Sequence, residues 1–301
     1  LQVWDRNAPL PMEDDRVVNW SEAKDTVMNA YNGFDPRMGS LAEPFFSKGW
    51  IDAEVKPGKA PGAFAHPTVT TVHPYVMLNY LGKPRDVMTL AHELGHGVHQ
   101  VLAAEQGEML AQTPLTLAET ASVFGEMLTF QKMLDAAENK EARKVLLAGK
   151  VEDMINTVVR QIAFYDFESK LHEARRQGEL TPENINELWM SVQGESLGPA
   201  FEFMEGYETF WAYIPHFVHS PFYVYAYAFG DGLVNALYAV YQEQPEGFQD
   251  KYFDLLKAGG SQHHKDLLAP FGLDASDPKF WDKALSMISA MIDELEAMEQ
   301  D

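Results

Sequence analysis

Five residues, His92-Glu93-Leu94-Gly95-His96, carry the most specific chemistry in the sequence. On a helix, positions i and i+4 share a face, so both imidazoles point at one spot. Zinc takes imidazole nitrogen at about 2.0–2.1 Å. Glu93 lies one residue round from His92. It is too far off-axis to be a ligand, but it reaches a water beside the metal. Zinc lowers the pKa of such a water towards about 7. Glu93 is then the general base that takes the proton and passes it to a leaving amine.

Two imidazoles need a third protein ligand. His99 returns to the same face at i+7, but seven residues rise about 10.5 Å, too far to share one ion with His92. The extended three-histidine form of the motif fails as well, because His99 stands where it needs glycine and Leu102 where it needs histidine. His99 is therefore read as a flanking residue near the substrate channel. Glu105 and Glu108 fall at the end of the same helix and point away. Glu119 opens a fresh helical stretch among Leu115, Leu117, Ala118 and Ala121. A carboxylate in such apolar surroundings needs compensation, and metal coordination supplies it. Glu119 is the expected third ligand. Glu126, on the same face, is expected to orient a histidine by accepting its other N–H.

The elements that position these residues read mostly as helix. Pro84 suits a first turn, and a periodic pattern runs from Arg85 to about Gln106, with Val87, Leu90, Leu94, Val98 and Leu102 on the apolar faces. Further helices are expected over about 115–137, 141–177, 223–241, 245–257 and 277–298, with a start at Thr181-Pro182-Glu183. In the 141–177 helix, Val151, Ile155, Val158, Ile162 and Tyr165 form the apolar stripe. Near the start, Pro9, Pro11 and Glu13-Asp14-Asp15 suggest an extended entry. Ser21 caps a helix over 22–32, ended by Gly33 and Pro36. Residues 50–80 differ: Trp50–Lys56, Thr68–Val72 and Tyr75–Tyr80 are β-rich pieces broken by Gly62, Pro67 and Pro74. The expected fold class is mainly α, a helical body with a small antiparallel β-sheet beside the motif helix, in a single domain over 1–301. Glycines 58, 62, 259 and 260 mark turns or loops over the cleft.

Composition narrows the classes. The 301 residues hold 23 Lys+Arg, 45 Asp+Glu and no cysteine. A formal charge of −22 disfavours nucleic acid and anionic membrane as partners. Without cysteine there are no disulfides, thiolate metal sites or thiol nucleophiles, which fits a reducing, cytoplasmic setting. The chain opens on Leu1 with no signal-peptide pattern, as a processed chain or an excised piece would. The most apolar window, 221–241, is long enough for a bilayer. Asp231 interrupts it and its tyrosines are scattered, so a buried helix with a polar site is expected.

The sequence resembles the oligoendopeptidase F group of the thimet-oligopeptidase-like zinc metallopeptidases. The resemblance rests on Trp4-Asp-Arg-Asn-Ala-Pro, Gly49-Trp-Ile-Asp, Pro61-Gly-Ala-Phe, Met77-Leu-Asn-Tyr, Leu90-Ala-His-Glu-Leu-Gly-His, Leu117-Ala-Glu-Thr-Ala-Ser, Ser220-Pro-Phe-Tyr-Val-Tyr-Ala-Tyr-Ala and Gly259-Gly-Ser. It implies a zincin-type catalytic lobe, the C-terminal half of a two-lobed peptidase, with the missing N-terminal half as partner. It implies one Zn2+ on His92, His96 and Glu119, with Glu93 as base, acting on oligopeptide substrates. It also implies oxyanion donors in the order His216, Tyr223, Tyr227, then Tyr225. The strand around Val76–Asn79 offers an edge for an extended peptide. The rival readings are a metallocarboxypeptidase, needing a cationic clamp from Arg85, Arg160, Arg175 or Arg176, and a non-catalytic peptide-binding half-domain.

Overall fold

The computed structural model describes residues 1–8 and 16–300, so the entry expected around Pro9, Pro11 and Glu13–Asp15 lies outside the described residues. Helices α1 (Trp20–Phe34) and α2 (Pro36–Ser47) lead to the sheet strands β1 (Ile51–Asp52), β2 (Phe64–His66) and β3 (Tyr75–Met77). Helices α3 (Pro84–Ala103), α4 (Leu115–Ala118), α5 (Thr120–Asp135), α6 (Lys140–Thr157), α7 (Val159–Arg176), α8 (Pro182–Leu197), α9 (His216–His219), α10 (Tyr225–Glu243), α11 (Phe248–Lys257), α12 (His264–Leu268) and α13 (Pro278–Gln300) follow. The chain is mainly α, as expected. Its contacts divide it into two units: Asp14–Gly149 with Gly230–Asp301, and Leu1–Glu13 with Lys150–Phe229.

The first of these units carries the motif helix. Pro84 occupies the first turn of α3, and the Asp86 carboxylate accepts from the Leu81 and Lys83 N–H groups at 2.8 and 2.9 Å. Val87, Leu90, Leu94, Val98 and Leu102 are all buried, so the apolar faces read from the sequence are the packed ones. Helix α5 lies along α3, and glycines set the closeness of the approach. A Cβ on Gly95 would stand 2.4 Å from the Ala121 carbonyl oxygen, and one on Gly97 would stand 2.6 Å from the Phe45 ring.

Several expectations are corrected. The sheet is mixed rather than antiparallel: its order is β1-β3-β2, with β1 parallel and β2 antiparallel to β3. The long stretch between β1 and β3 allows the parallel crossover. Tyr75–Met77 is consequently the central strand, with neighbours on both sides, and not the edge expected around Val76–Asn79. The β-branched run Thr68–Val72 forms turns, with Thr68 at φ +60° and the Val72 N–H donating to Val69 O at 3.0 Å. The prolines at 67 and 74 bracket it and offer no N–H for a ladder. Asn19, not Ser21, caps α1. Pro36 starts α2 at once, with Asp35 as its cap. The 141–177 helix is broken at Val158 (φ −96°, ψ −67°). Val151 and Val158 are buried, but Ile155, Ile162 and Tyr165 are exposed.

The second unit packs α7 and α8 around Phe164, Phe167, Trp189 and Tyr207. The 221–241 window forms most of α10, where Asp231 and Asn235 are buried and the Asn235 amide donates to Asp231 Oδ2 at 2.8 Å. No described helix is long and apolar enough to cross a membrane.

Candidate metal centre

His92 and His96 sit one turn apart on α3, their ring centroids 4.9 Å apart at 83°. Glu119 sits at the break between α4 and α5. The helix expected over 115–137 stops at Ala118, and Glu119 adopts φ −81°, ψ 0° before α5 begins. The Thr120 hydroxyl donates to the Leu117 carbonyl at 2.8 Å, giving the backbone a local alternative to a continuous helix. Glu119 Oε2 lies 3.4 Å from both His92 Nε2 and His96 Nε2. Tetrahedral donors about 2.1 Å from a common centre stand about 3.4 Å apart. One ligand atom from each of the three residues falls within 4.8 Å of the others. The donor set, two nitrogens and a carboxylate oxygen, therefore fits a zinc ion in both chemistry and spacing.

The supporting contacts hold these side chains in place. The Ser122 hydroxyl donates to Glu119 Oε2 at 2.7 Å. Burial disfavours the Glu119 carboxylate, but the hydrogen bond and charge of His96, the charge of His92 and the Ser122 hydroxyl outweigh it and bring its pKa to about 2. His92 Nδ1 lies 3.3 Å from Glu126 Oε2, the orienting contact expected from the sequence. Burial opposes protonation of His92, yet Glu126 and the other acids around it raise its pKa. Glu93 is buried, which raises its pKa, while His92 and His96 pull it down. The Ala65 N–H on β2 also favours its ionised form. His99 is buried, and that burial, with His96 beside it, lowers its pKa to about 4. It faces Thr113 Oγ1 at 3.3 Å and is not part of the three-residue group.

The model for "Peptidase family M3" matches residues 24–287, most of the chain. The chain belongs to peptidase family M3. It is 29% identical to Oligopeptidase PepF of Bacillus subtilis (strain 168), over 99% of this chain and 44% of that protein. It is 31% identical to an oligoendopeptidase F homolog of Lactococcus lactis subsp. lactis (strain IL1403), over 99% of this chain and 49% of that one. Among solved structures, a Chlamydophila abortus protein assigned as a peptidase superposes with a TM-score of 0.85 at 30% identity, over 99% of this chain and 50% of that one. The chain thus spans about half the length of the relatives it matches.

The remaining expected site residues of this M3 chain lie in the second unit. His216, Tyr223 and Tyr227 form one cluster: the His216 and Tyr223 rings stack at 5.7 Å, and Tyr227 Oη lies 3.4 Å from His216 Nε2. Tyr225 turns instead to Tyr165, with ring centroids 5.7 Å apart. Three of the arginines considered as a clamp make local contacts, and the fourth is exposed. Arg160 stacks on Phe164, Arg175 donates to the Gly178 carbonyl, Arg176 pairs with Glu173, and Arg85 is exposed on the first turn of α3. Sequence reasoning missed three contributors: the Ala65 backbone, the Ser122 hydroxyl, and Gly230, where a Cβ would stand 2.8 Å from Glu119 Cβ. Ser122 could have been found, since it shares a helix face with Glu119 at i+3.

Proposed function

We propose that residues 1–301 form the catalytic domain of a zinc-dependent oligopeptidase that hydrolyses short unstructured peptides internally. Family membership supports peptidase chemistry. The observation that carries the metal reading is the spacing of His92, His96 and Glu119. A zinc ion held by these three residues would supply Lewis acidity towards the scissile carbonyl. Glu93, buried one position from His92, takes a proton from water as the water oxygen attacks the carbonyl carbon. It then delivers that proton to the amide nitrogen as the C–N bond breaks. Glu126 holds His92 in the ligating orientation, and Ser122 does the same for Glu119. His216, Tyr223 and Tyr227 carry N–H and O–H donors of the kind an oxyanion needs, and they are assigned that role on the family resemblance. The proposal includes a partner half equivalent to the unmatched part of the relatives. It also includes a cytoplasmic location, which the absence of cysteine favours.

The test is Glu93→Gln. Zinc content is expected to remain at one ion per chain while hydrolysis of end-blocked fluorogenic peptides falls by at least about 100-fold. His92→Ala is expected to lose the metal itself. Substantial turnover by a metal-loaded Glu93→Gln chain would remove Glu93 from the chemistry.

A further inference from the structure

Residues 67–74 join β2 to β3 and roof a cavity of about 650 Å³ that extends from His96 along α3. One wall is flat and aromatic. The Trp50 and His73 rings stack at 4.0 Å and 2°, and Lys48 Nζ lies 5.3 Å from the Trp50 ring centroid. Leu41, Val101 and Ala104 line other walls, with Val69 and Val72 from the roof. Both valines are about half exposed.

The roof is anchored. The Glu108 carboxylate accepts from both the Thr70 N–H and the Thr70 hydroxyl, at 2.7 and 2.6 Å. The segment bearing Glu108 is itself clasped: the Gly260 N–H donates to Leu110 O at 2.7 Å. Cβ atoms at Gly259 and Gly260 would stand 2.5 and 2.6 Å from the carbonyl oxygens of Leu110 and Gln112. The loop glycines singled out in the sequence thus set one wall of this cavity. Glu108 is the one carboxylate in the lining, exposed and hydrogen-bonded by the neutral Thr70 N–H and hydroxyl. An apolar side chain entering would leave water for apolar and aromatic walls.

We infer that this cavity is a side-chain subsite of the peptidase, taking one large uncharged residue, preferably aromatic, of the bound peptide. The inference rests on the peptidase reading of the adjacent centre, because it is His96 that brings the cavity to the reacting atoms. Its selectivity comes from shape and from the apolar and aromatic surface of its walls.

The test uses the zinc-loaded 301-residue chain and a set of end-blocked peptides that differ at one position near the cleaved bond: Phe, Leu, Ala, Asp or Lys. The readout is the ratio of kcat/KM between peptides. Phe is expected to exceed Asp and Lys by about tenfold or more. Ala104→Phe and Val72→Trp, which fill the cavity from its floor and its roof, are each expected to lower the Phe-to-Ala ratio at least about tenfold. Two variants at separate places keep the test open should one fail to fold. A parallel titration of the zinc-loaded Glu93→Gln chain with the same peptides measures binding alone. If the wild-type chain cleaves nothing, but this titration prefers Phe and Ala104→Phe abolishes the preference, the subsite stands and the peptidase reading falls. If neither turnover nor binding distinguishes Phe from Asp, or if both filled variants keep the wild-type ratio within twofold, the subsite is overturned.

Discussion

Gly95→Ala is a small substitution with a large expected effect on metal binding. The added Cβ would stand 2.4 Å from Ala121 O, 2.7 Å from Ser122 Cα and 2.8 Å from Ala121 C. Ordinary contact begins at 3.4 Å, so the shortfall at the oxygen is 3.4 − 2.4 = 1.0 Å. All three neighbours are backbone, so no rotamer change relieves the clash, and α3 and α5 must move apart by about that amount. Overpacking of this kind costs about 1–3 kcal/mol. The better helix propensity of alanine returns up to about 1 kcal/mol. The metal centre tolerates far less, since ligand distances hold to within about 0.2 Å. Glu119 immediately precedes α5, and both histidines ride on α3, so separating the helices pulls the carboxylate from the imidazoles. Zinc affinity is expected to fall at least about tenfold, with a net loss of up to about 2 kcal/mol in the stability of the metal-free chain. Competition with a chromophoric chelator reads the first, and urea unfolding reads the second. If zinc affinity stays within twofold of wild type, the argument that helix spacing controls the donor set is refuted.

Gly230→Ala meets the Glu119 side chain rather than backbone, at 2.8 Å from Cβ and 3.1 Å from Cγ. It should weaken zinc binding less than Gly95→Ala does, and the reverse order in chelator competition would contradict the comparison. Glu126→Gln removes the carboxylate 3.3 Å from His92 Nδ1 and is expected to lower zinc affinity about 10- to 100-fold, read the same way. His99 gives a pH signature. Its pKa drops from the ordinary 6.5 to about 4 on folding, so between those values the unfolded chain binds a proton that the native chain does not. Native stability must therefore fall as pH drops through that window, by up to about 3 kcal/mol from this group. Urea unfolding of His99→Gln should show a shallower decline between pH 6.5 and 4. Parallel profiles for variant and wild type would refute this.

The side-chain part of the centre was legible because one helix repeat governs it. His92 and His96 meet at i+4, and Glu119 stood out as a carboxylate in an apolar stretch. The helix of Arg85–Gln106 was legible for the same reason, its apolar positions recurring with the helical period. The rest depends on backbone groups and tertiary approach. Strand β2, Phe64–His66, is three residues between Gly62 and Pro67, too short to show alternation, yet it supplies the N–H facing Glu93. Thr68–Val72 has the composition of a strand, but the flanking prolines deny it a ladder. Gly95 and Gly230 matter for what lies opposite them, and a one-dimensional pattern does not show what lies opposite. The break at Val158 has no proline or glycine to announce it.

The unit that holds the centre is discontinuous in sequence: Asp14–Gly149 waits for Gly230–Asp301. Gly230 abuts Glu119, and the buried Tyr252 hydroxyl donates to Thr120 O at 2.9 Å, right beside Glu119. During synthesis on a ribosome, the His92, His96 and Glu119 side chains emerge long before those later neighbours arrive. The centre therefore receives its final packing only once residues 230–252 have been made. A polypeptide released before those residues would carry the three side chains without the support that aligns them.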